Sequence, residues 1–206
     1  MKYDPTQQGK ARVVKGHYKF EGPFSHNHPI NPIMDEHGNL CGVTVRFDMT
    51  YVQTYGGEAI FFATIQKGRL LASRCDNPGC SGPHGQIFLP FRTYCSDCLE
   101  KTSVIDITDL ANQTARAYAC VTNERAGAMN RLGKPIRFIS VQIDGVCTMP
   151  MGYLLCGEPK IGMRIVPIFQ TNIENPSYTI IDLAWVPEGT KPEELPEGFT
   201  FAKTLA

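Results

Sequence analysis

The sequence has no surplus of either charge: 20 lysines and arginines are balanced by 20 aspartates and glutamates over 206 residues. A general binder of nucleic acid carries a strongly basic footprint, so the composition disfavours that class. No apolar run approaches the roughly 18 residues that a spanning helix needs, which argues for a soluble protein without a membrane partner. The opening residues, MKYDPTQQGK, lack the apolar segment of an export signal, so a reducing, cytoplasmic location is expected. Histidine is scarce, and four of the five, His17, His26, His28 and His37, fall in the first 38 residues without a cysteine or carboxylate at a ligand spacing. Polar loop residues explain them better than a second metal site does.

Cysteine, by contrast, is concentrated. The stretch CDNPGCSGPHGQIFLPFRTYCSDC holds Cys75 and Cys80 at a C-x4-C spacing and Cys95 and Cys98 at C-x2-C, with fourteen residues between the pairs. Each pair can curl into a knuckle that aims two thiolates at one point, and an apolar arm over Gln86–Phe91 can bring the second knuckle back to complete a tetrahedral set. Pro78-Gly79 and Ser81-Gly82-Pro83 supply the turns. This is the grammar of a zinc ribbon. Two disulfides would use the same residues but suit an oxidising compartment, and iron competes with zinc for a soft tetrathiolate cage. His84 lies between the pairs and reads as a loop residue, since four thiolates already fill the shell. A filled shell makes the metal structural, because no coordination position is left to activate water. Cys41, Cys120, Cys147 and Cys156 lack paired spacing and read as small hydrophobes.

The chain divides into an N-terminal arm and strand region (1–54), a helix plus zinc ribbon (55–102), a barrel (103–186) and a tail (187–206). Residues 1–38 look irregular, broken by Gly9, Gly16, Gly22, Pro23, Pro29 and Pro32, yet they carry enough apolar groups to lie along this protein or a partner. Residues 39–53 predict a strand. Residues 57–67 predict a short helix capped at Gly68, which covers the ribbon, packs on a partner or lines an apolar channel. Arg69–Arg74 then runs as a strand into the first knuckle. After residue 103 the pattern is of short strands without a strong helix. Residues 114–122 would put Ala115, Ala117, Ala119 and Val121 on one side; residues 136–143 would put Ile139, Val141 and Ile143 on one side. Asp144-Gly145 predicts a tight hairpin turn. Met163, Ile165, Pro167 and Phe169 share a face, and residues 178–186 form a fifth strand. Five strands in roughly 85 residues fit an OB-fold barrel better than a sandwich. The predicted fold is mainly β, with extended arms at both ends, and the tail reads as an arm that docks somewhere.

In its order of parts, the chain resembles a known family. A helix leading through KGRLLASRC (Lys67 to Cys75), a ribbon with the return IFLPFRTYCSDC (Ile87 to Cys98), then FISVQIDGV (Phe138 to Val146) and IGMRIVPIF (Ile161 to Phe169) is similar to proteins that pair a rubredoxin-like zinc ribbon with an OB-fold and are described as acyl-CoA-associated or as a domain of unknown function. The likeness covers about residues 55 to 186. It implies a small accessory subunit of a thiolase-superfamily enzyme, in which a larger subunit carries the nucleophile and the small one supports assembly and acyl-CoA binding. Its relatives include the small subunit of a benzoylsuccinyl-CoA thiolase, which points to aromatic acyl-CoA degradation. The chain departs from the pattern in its long N-terminal arm and tail and in a first knuckle of C-x4-C where C-x2-C is commoner.

Two functions from different classes follow. In the first, the chain is a non-catalytic thiolase or acyltransferase subunit; the unpaired Cys120, Cys147 and Cys156 have no histidine near them in sequence, which agrees. Its barrel segment carries Arg116, Arg125, Arg131 and Lys134, a set able to meet the phosphates of coenzyme A and equally able to be solvated surface charge. In the second, ribbon and barrel form a nucleic-acid-binding module. Overall neutrality favours the short coenzyme over a long polyanion, whose binding scales with the number of phosphates neutralised.

Overall fold

The computed structural model describes residues 10–15, 17–21, 31–34, 40–44, 55–124, 132, 134–171 and 177–202, and the chain divides into two units, Met1–Thr54 and Tyr55–Ala206. In the first unit β1 (Lys10–Val14) and β2 (His17–Glu21) form an antiparallel hairpin with Val14 opposite His17. Only residues 15 and 16 connect them, and Lys15 takes the left-handed conformation (φ 50) that a two-residue turn of the hairpin type requires. β3 (Asn31–Met34) and β4 (Leu40–Thr44) form a second hairpin whose register shifts between Ile33 and Met34. The region read from sequence as an irregular arm therefore contains paired strands, and Pro32 lies within one of them, opposite Val43. The strand expected over residues 39–53 is present as β4, and residues 45–54 lie outside the described residues, as do His26, His28 and His37.

The second unit opens with a 3-10 turn, Gly56–Glu58, and helix α1 (Ala59–Ile65), which buries Phe61 and Ile65 while Tyr55 stacks on Phe62 at 4.1 Å. Gly68 (φ 71) ends it as expected: the Gly68 N–H donates to Ile65 O and the Arg69 N–H to Thr64 O, a Schellman closure. β5 (Leu71–Arg74) is the middle strand of the ribbon sheet, between β6 (Ile87–Phe88) and β7 (Ser103–Asp106). The sequence suggested no strong helix beyond this point, yet α2 (Thr108–Thr114) follows. Its reason is local: the Asp106 carboxylate accepts hydrogen bonds from the Thr108 N–H (2.9 Å) and hydroxyl (2.6 Å), and Arg69 holds its other oxygen at 2.7 Å. Burial opposes ionisation of Asp106, but these donors outweigh it and hold the carboxyl below its ordinary range.

The barrel is built from β8 (Arg116–Asn123), β9 (Ile136–Gln142), β10 (Met151–Leu154), β11 (Ile165–Gln170) and β12 (Leu183–Pro187), in the lateral order β8-β9-β10-β12-β11. β10 and β12 are parallel and the other pairs antiparallel. The Ala117 N–H donates to Met163 O and the Ile165 N–H to Ala115 O, which brings the lead-in to β11 back against β8 and closes the five strands into the expected OB-fold barrel. Ile139, Val141 and Ile143 point inward, as do Ile165 and Phe169 with half-buried Met163 beside them.

Three details differ from the sequence reading. The fifth strand, expected over residues 178–186, begins only at Leu183, after a 3-10 turn at Ile180–Asp182. The register slips between Ala117 and Ala119, leaving Tyr118 as a bulge. One extra residue inverts the alternation, so half-buried Cys120 packs against the core while Ala119 and Val121 line an outer groove. The turn at Asp144-Gly145 is tight, with Val146 N–H donating to Ile143 O, but it does not lead directly into the next strand. Val146 bridges to Ile87, the Cys147 N–H donates to Ile87 O, and Thr148 exchanges hydrogen bonds with both the N–H (2.8 Å) and the carbonyl (2.6 Å) of Leu89. β10 begins only after this excursion to the ribbon.

One core runs through ribbon and barrel: Phe61, Ile65, Leu70 and Leu89 are buried with Ile139, Leu154, Phe169 and Trp185. The tail docks on its own barrel. β13 (Phe199–Phe201) pairs with β11, and Leu195, Phe199 and Phe201 cover Tyr153, Ile168, Ala184 and Val186 on the barrel's outer surface. Among the described residues no helix is long and apolar enough to cross a membrane.

Candidate metal centre

β5 delivers Cys75 to the start of the first knuckle, where the Cys75 N–H donates to Gln86 O at 3.0 Å and ties the knuckle to the arm opposite. Asn77 shapes the turn: its side-chain oxygen accepts from the Gly79 N–H (2.9 Å) and its carbonyl from the Cys80 N–H (3.1 Å). The second knuckle is closed by the Cys95 N–H to Glu100 O (2.9 Å) and the Leu99 N–H to Cys95 O (3.0 Å), with Leu99 left-handed at φ 61. Phe88 packs under the site between Cys75 and Cys95, and the Arg92 guanidinium lies over its ring, 5.6 Å from the centroid.

The sulfurs of Cys75, Cys80, Cys95 and Cys98 all lie within 4.8 Å of one another, with Cys75 and Cys95 buried and Cys80 and Cys98 half-buried. The Cys75–Cys98 and Cys80–Cys95 separations are 3.7 and 3.8 Å. A tetrahedral centre with metal–sulfur bonds of about 2.3 Å has sulfur–sulfur edges of about 3.8 Å, whereas a disulfide brings its sulfurs to about 2.05 Å. The spacing is that of a cage able to hold one metal ion such as zinc, and the soft donor set would suit iron as well. Exposed His84 is not a member of the group.

The thiols do not ionise alike. Burial works against the Cys95 thiolate, but N–H groups of Asp97 and Cys98 and the thiols of Cys75 and Cys98 outweigh it and bring Cys95 down to about 6. At Cys75 the Asn77 N–H favours the thiolate, yet burial and the thiols of Cys95, Cys98 and Cys80 prevail and push it up to about 12. Cys80 is also raised: the Gly82 N–H pulls it down and is overcome by burial and by the Cys98 and Cys95 thiols. A metal ion must therefore displace protons to enter.

Sequence reasoning missed two residues of this site. Gln86 is buried, and its side-chain Nε2 lies 3.5 Å from Cys80 Sγ, 3.4 Å from Cys95 Sγ and 2.7 Å from Asp97 Oδ2. Gly82 leaves the room: a Cβ there would stand 2.3 Å from Asp97 Oδ2 and 2.5 Å from Gln86 Nε2. A polar residue opening the otherwise apolar run QIFLPF was the available signal.

The four cations assigned to coenzyme A are placed differently. Arg116 sits at the start of β8, opposite Gln142, and pairs with Asp144 at 3.2 Å. Exposed Lys134 precedes β9, whose first residue Ile136 faces Asn123 at the other end of β8. The two ends are seven residue steps apart along β8, roughly 23 Å, so these two cations do not converge. Arg125 and Arg131 lie outside the described residues.

No family model and no curated protein matches the chain. Among solved structures it is similar to a protein of unknown function from the DUF35 family of Sulfolobus solfataricus, with 18% identity and a TM-score of 0.44 over 63% of this chain and 83% of that one.

Proposed function

We propose that this chain is the non-catalytic accessory subunit of a thiolase-type acyl-CoA acyltransferase complex, with one structural zinc in the cysteine cage and a larger thiolase-superfamily subunit as partner. The observation that carries the reading is the four-thiolate cage fused to an OB barrel, in the order of parts that first suggested the resemblance. Four protein ligands leave a metal no open position, so it holds the ribbon and takes no part in acyl transfer. The unpaired thiols support the same reading: Cys120 Sγ faces the Pro159 carbonyl at 3.8 Å, an acceptor that does nothing to make it a nucleophile.

Lys134 supports the coenzyme part of this reading. It lines an open crevice of about 190 Å³ together with Leu132, Arg137, Tyr153 and Leu155, room for a phosphate group and the start of an apolar extension rather than a whole coenzyme. Arg125 and Arg131, which belong by sequence to the same β8–β9 connection, would complete the proposed phosphate contacts; Arg116, paired with Asp144 at the opposite end, is left out of this set. The nucleic-acid alternative gains little from the groove on the barrel's outer β8–β9–β10 face, whose lining of Ala119, Val121, Phe138, Ser140 and Met151 includes no cation and only one, buried, ring.

Capture of the tagged full chain from its native host tests the proposal. The expected result is a thiolase-superfamily subunit in stoichiometric amount, with thiolytic activity in the complex and none in the isolated chain. Activity from the chain alone, or capture of nucleic acid in place of that subunit, would overturn it.

A further inference from the structure

We propose that Gln86 is a positioning residue of the thiolate cage that, held by Asp97, shields the sulfurs of Cys80 and Cys95 from electrophiles; the inference rests on the reading of the cage as metal-loaded. A side-chain amide has two N–H bonds. One points to Asp97 Oδ2 at 2.7 Å, a charge-assisted contact that fixes the rotamer. The other is shared between Cys80 Sγ at 3.5 Å and Cys95 Sγ at 3.4 Å. No corresponding side-chain donor to Cys75 or Cys98 is found among the described residues, whose sulfurs are 3.7 Å apart.

A metal-bound thiolate keeps a lone pair with which it can attack carbon. A donated N–H withdraws charge from that lone pair, stabilises the thiolate and slows the attack. Cys95 is buried, so access to it is already closed; Cys80 is half-buried, and there the hydrogen bond decides the outcome. Cys98 is half-buried as well but lacks the amide, which makes it an internal control.

The space around Gln86 is reserved for this arrangement. Gly82 is the residue whose missing side chain lets Asp97 and Gln86 meet, since any Cβ there would overlap both. A residue needed only to fill volume would not require a carboxylate beside it, and a buried amide without partners would be costly.

The test alkylates the metal-loaded full chain with iodoacetamide and reads the ratio of modification at Cys80 to that at Cys98 by peptide mass spectrometry. In the reaction sulfur forms the bond to the methylene carbon and iodide leaves. Gln86→Met keeps the volume and removes the donor; it should raise the ratio on the order of tenfold and move the sulfur-to-metal charge-transfer band of the cobalt-loaded chain to lower energy. Asp97→Ala should raise the ratio less, and Asp97→Asn, which retains an acceptor oxygen, should restore it. An unchanged ratio and an unchanged band in Gln86→Met overturn the proposal. If that variant fails to load metal, an Asp97→Ala chain with the wild-type ratio overturns it instead. A wild-type chain that takes up neither zinc nor cobalt sinks the cage reading, and this inference with it.

Discussion

The cysteine cage and the barrel's basic residues were assigned chemistry on the same sequence, and the fold treats them in opposite ways. Four thiols from two knuckles converge within 4.8 Å. Arg116 and Lys134 stand at opposite ends of a strand pair, one neutralised by Asp144. The difference lies in what fixes each group. A knuckle is set by a few residues and their turn hydrogen bonds, so its geometry is a local property of the chain. Where two cations on a barrel end up depends on register and strand length, and nothing about residue type makes them meet.

The comparison breaks most sharply if the cage can be lost without consequence. A Cys95→Ser/Cys98→Ser double variant should lose its metal completely. Structural zinc sites contribute apparent binding energies of about 10–16 kcal/mol near neutral pH, so the ribbon should unfold. Because Leu70 and Leu89 share a core with Trp185 and Phe169, the thermal transition of the barrel should fall as well. Metal analysis with a melting curve checks both.

Acid should act on the cage and spare the basic set. Cys75 and Cys80 are raised in the free cage and must be thiolates in the loaded one, so binding at neutral pH releases a proton from each. Their effective pKa falls on binding; metal affinity is therefore full at high pH and declines as pH drops through neutrality. It should steepen below about 6, where Cys95 also protonates in the free state. Zinc titrations across pH 5–9 in weakly coordinating buffer measure this slope, and a flat profile would contradict the assignment.

A packing lesion in the barrel should be intermediate. Gly152 on β10 lies against Trp185, and an added Cβ would stand 2.7 Å from the indole Nε1 and 2.8 Å from Cδ1. Gly152→Ala should cost about 1–3 kcal/mol by overpacking, read by denaturant titration, with metal content unchanged.

The smallest effects belong to the cations. Arg116→Ala removes an ion pair whose arginine is 42% exposed, and exposed pairs are worth roughly 0.2–1 kcal/mol. Lys134→Ala should leave stability unaltered while raising the complex's Michaelis constant for coenzyme A several-fold, on the order of 1 kcal/mol. Equal kinetic effects from both substitutions would mean that the two ends of the β8–β9 pair serve one ligand.

How much could be read in advance follows the same division. The cage was legible because ligand spacing and turn residues are written contiguously. The inward faces of β9 and β11 were legible because alternation runs through them unbroken. On β8 the rule failed at Tyr118, a residue with no turn chemistry, and everything beyond it changed side. Helix α2 escaped notice because it is only seven residues long and mixes Leu110, Ala111 and Gln113 with two threonines, Asp109 and Asn112, and what starts it is Asp106, steadied by Arg69 from another segment. Gln86 was hidden for a similar reason: its importance lies in Asp97, eleven positions on, which only the folded knuckles bring to it. The N-terminal hairpin at Lys15–Gly16 had a signal, alternating residues around a glycine, that the surrounding glycines and prolines obscured.

The excursion of residues 146–148 onto the ribbon bears on protein engineering. Zinc ribbons are attractive as transplantable cassettes, and residues 55–102 look like one on paper. Here the loop between the second and third barrel strands supplies Thr148 to both backbone groups of Leu89 and lays Val146 beside Ile87, while α1 hands Phe61 to the barrel's interior. A ribbon grafted elsewhere would carry Leu89 with its N–H and carbonyl unmet and an exposed apolar helix face. A recipient barrel would be left with Trp185 uncovered. Chimaeras of this chain should be joined outside Tyr55–Ala202, so that the cassette being moved is ribbon and barrel together.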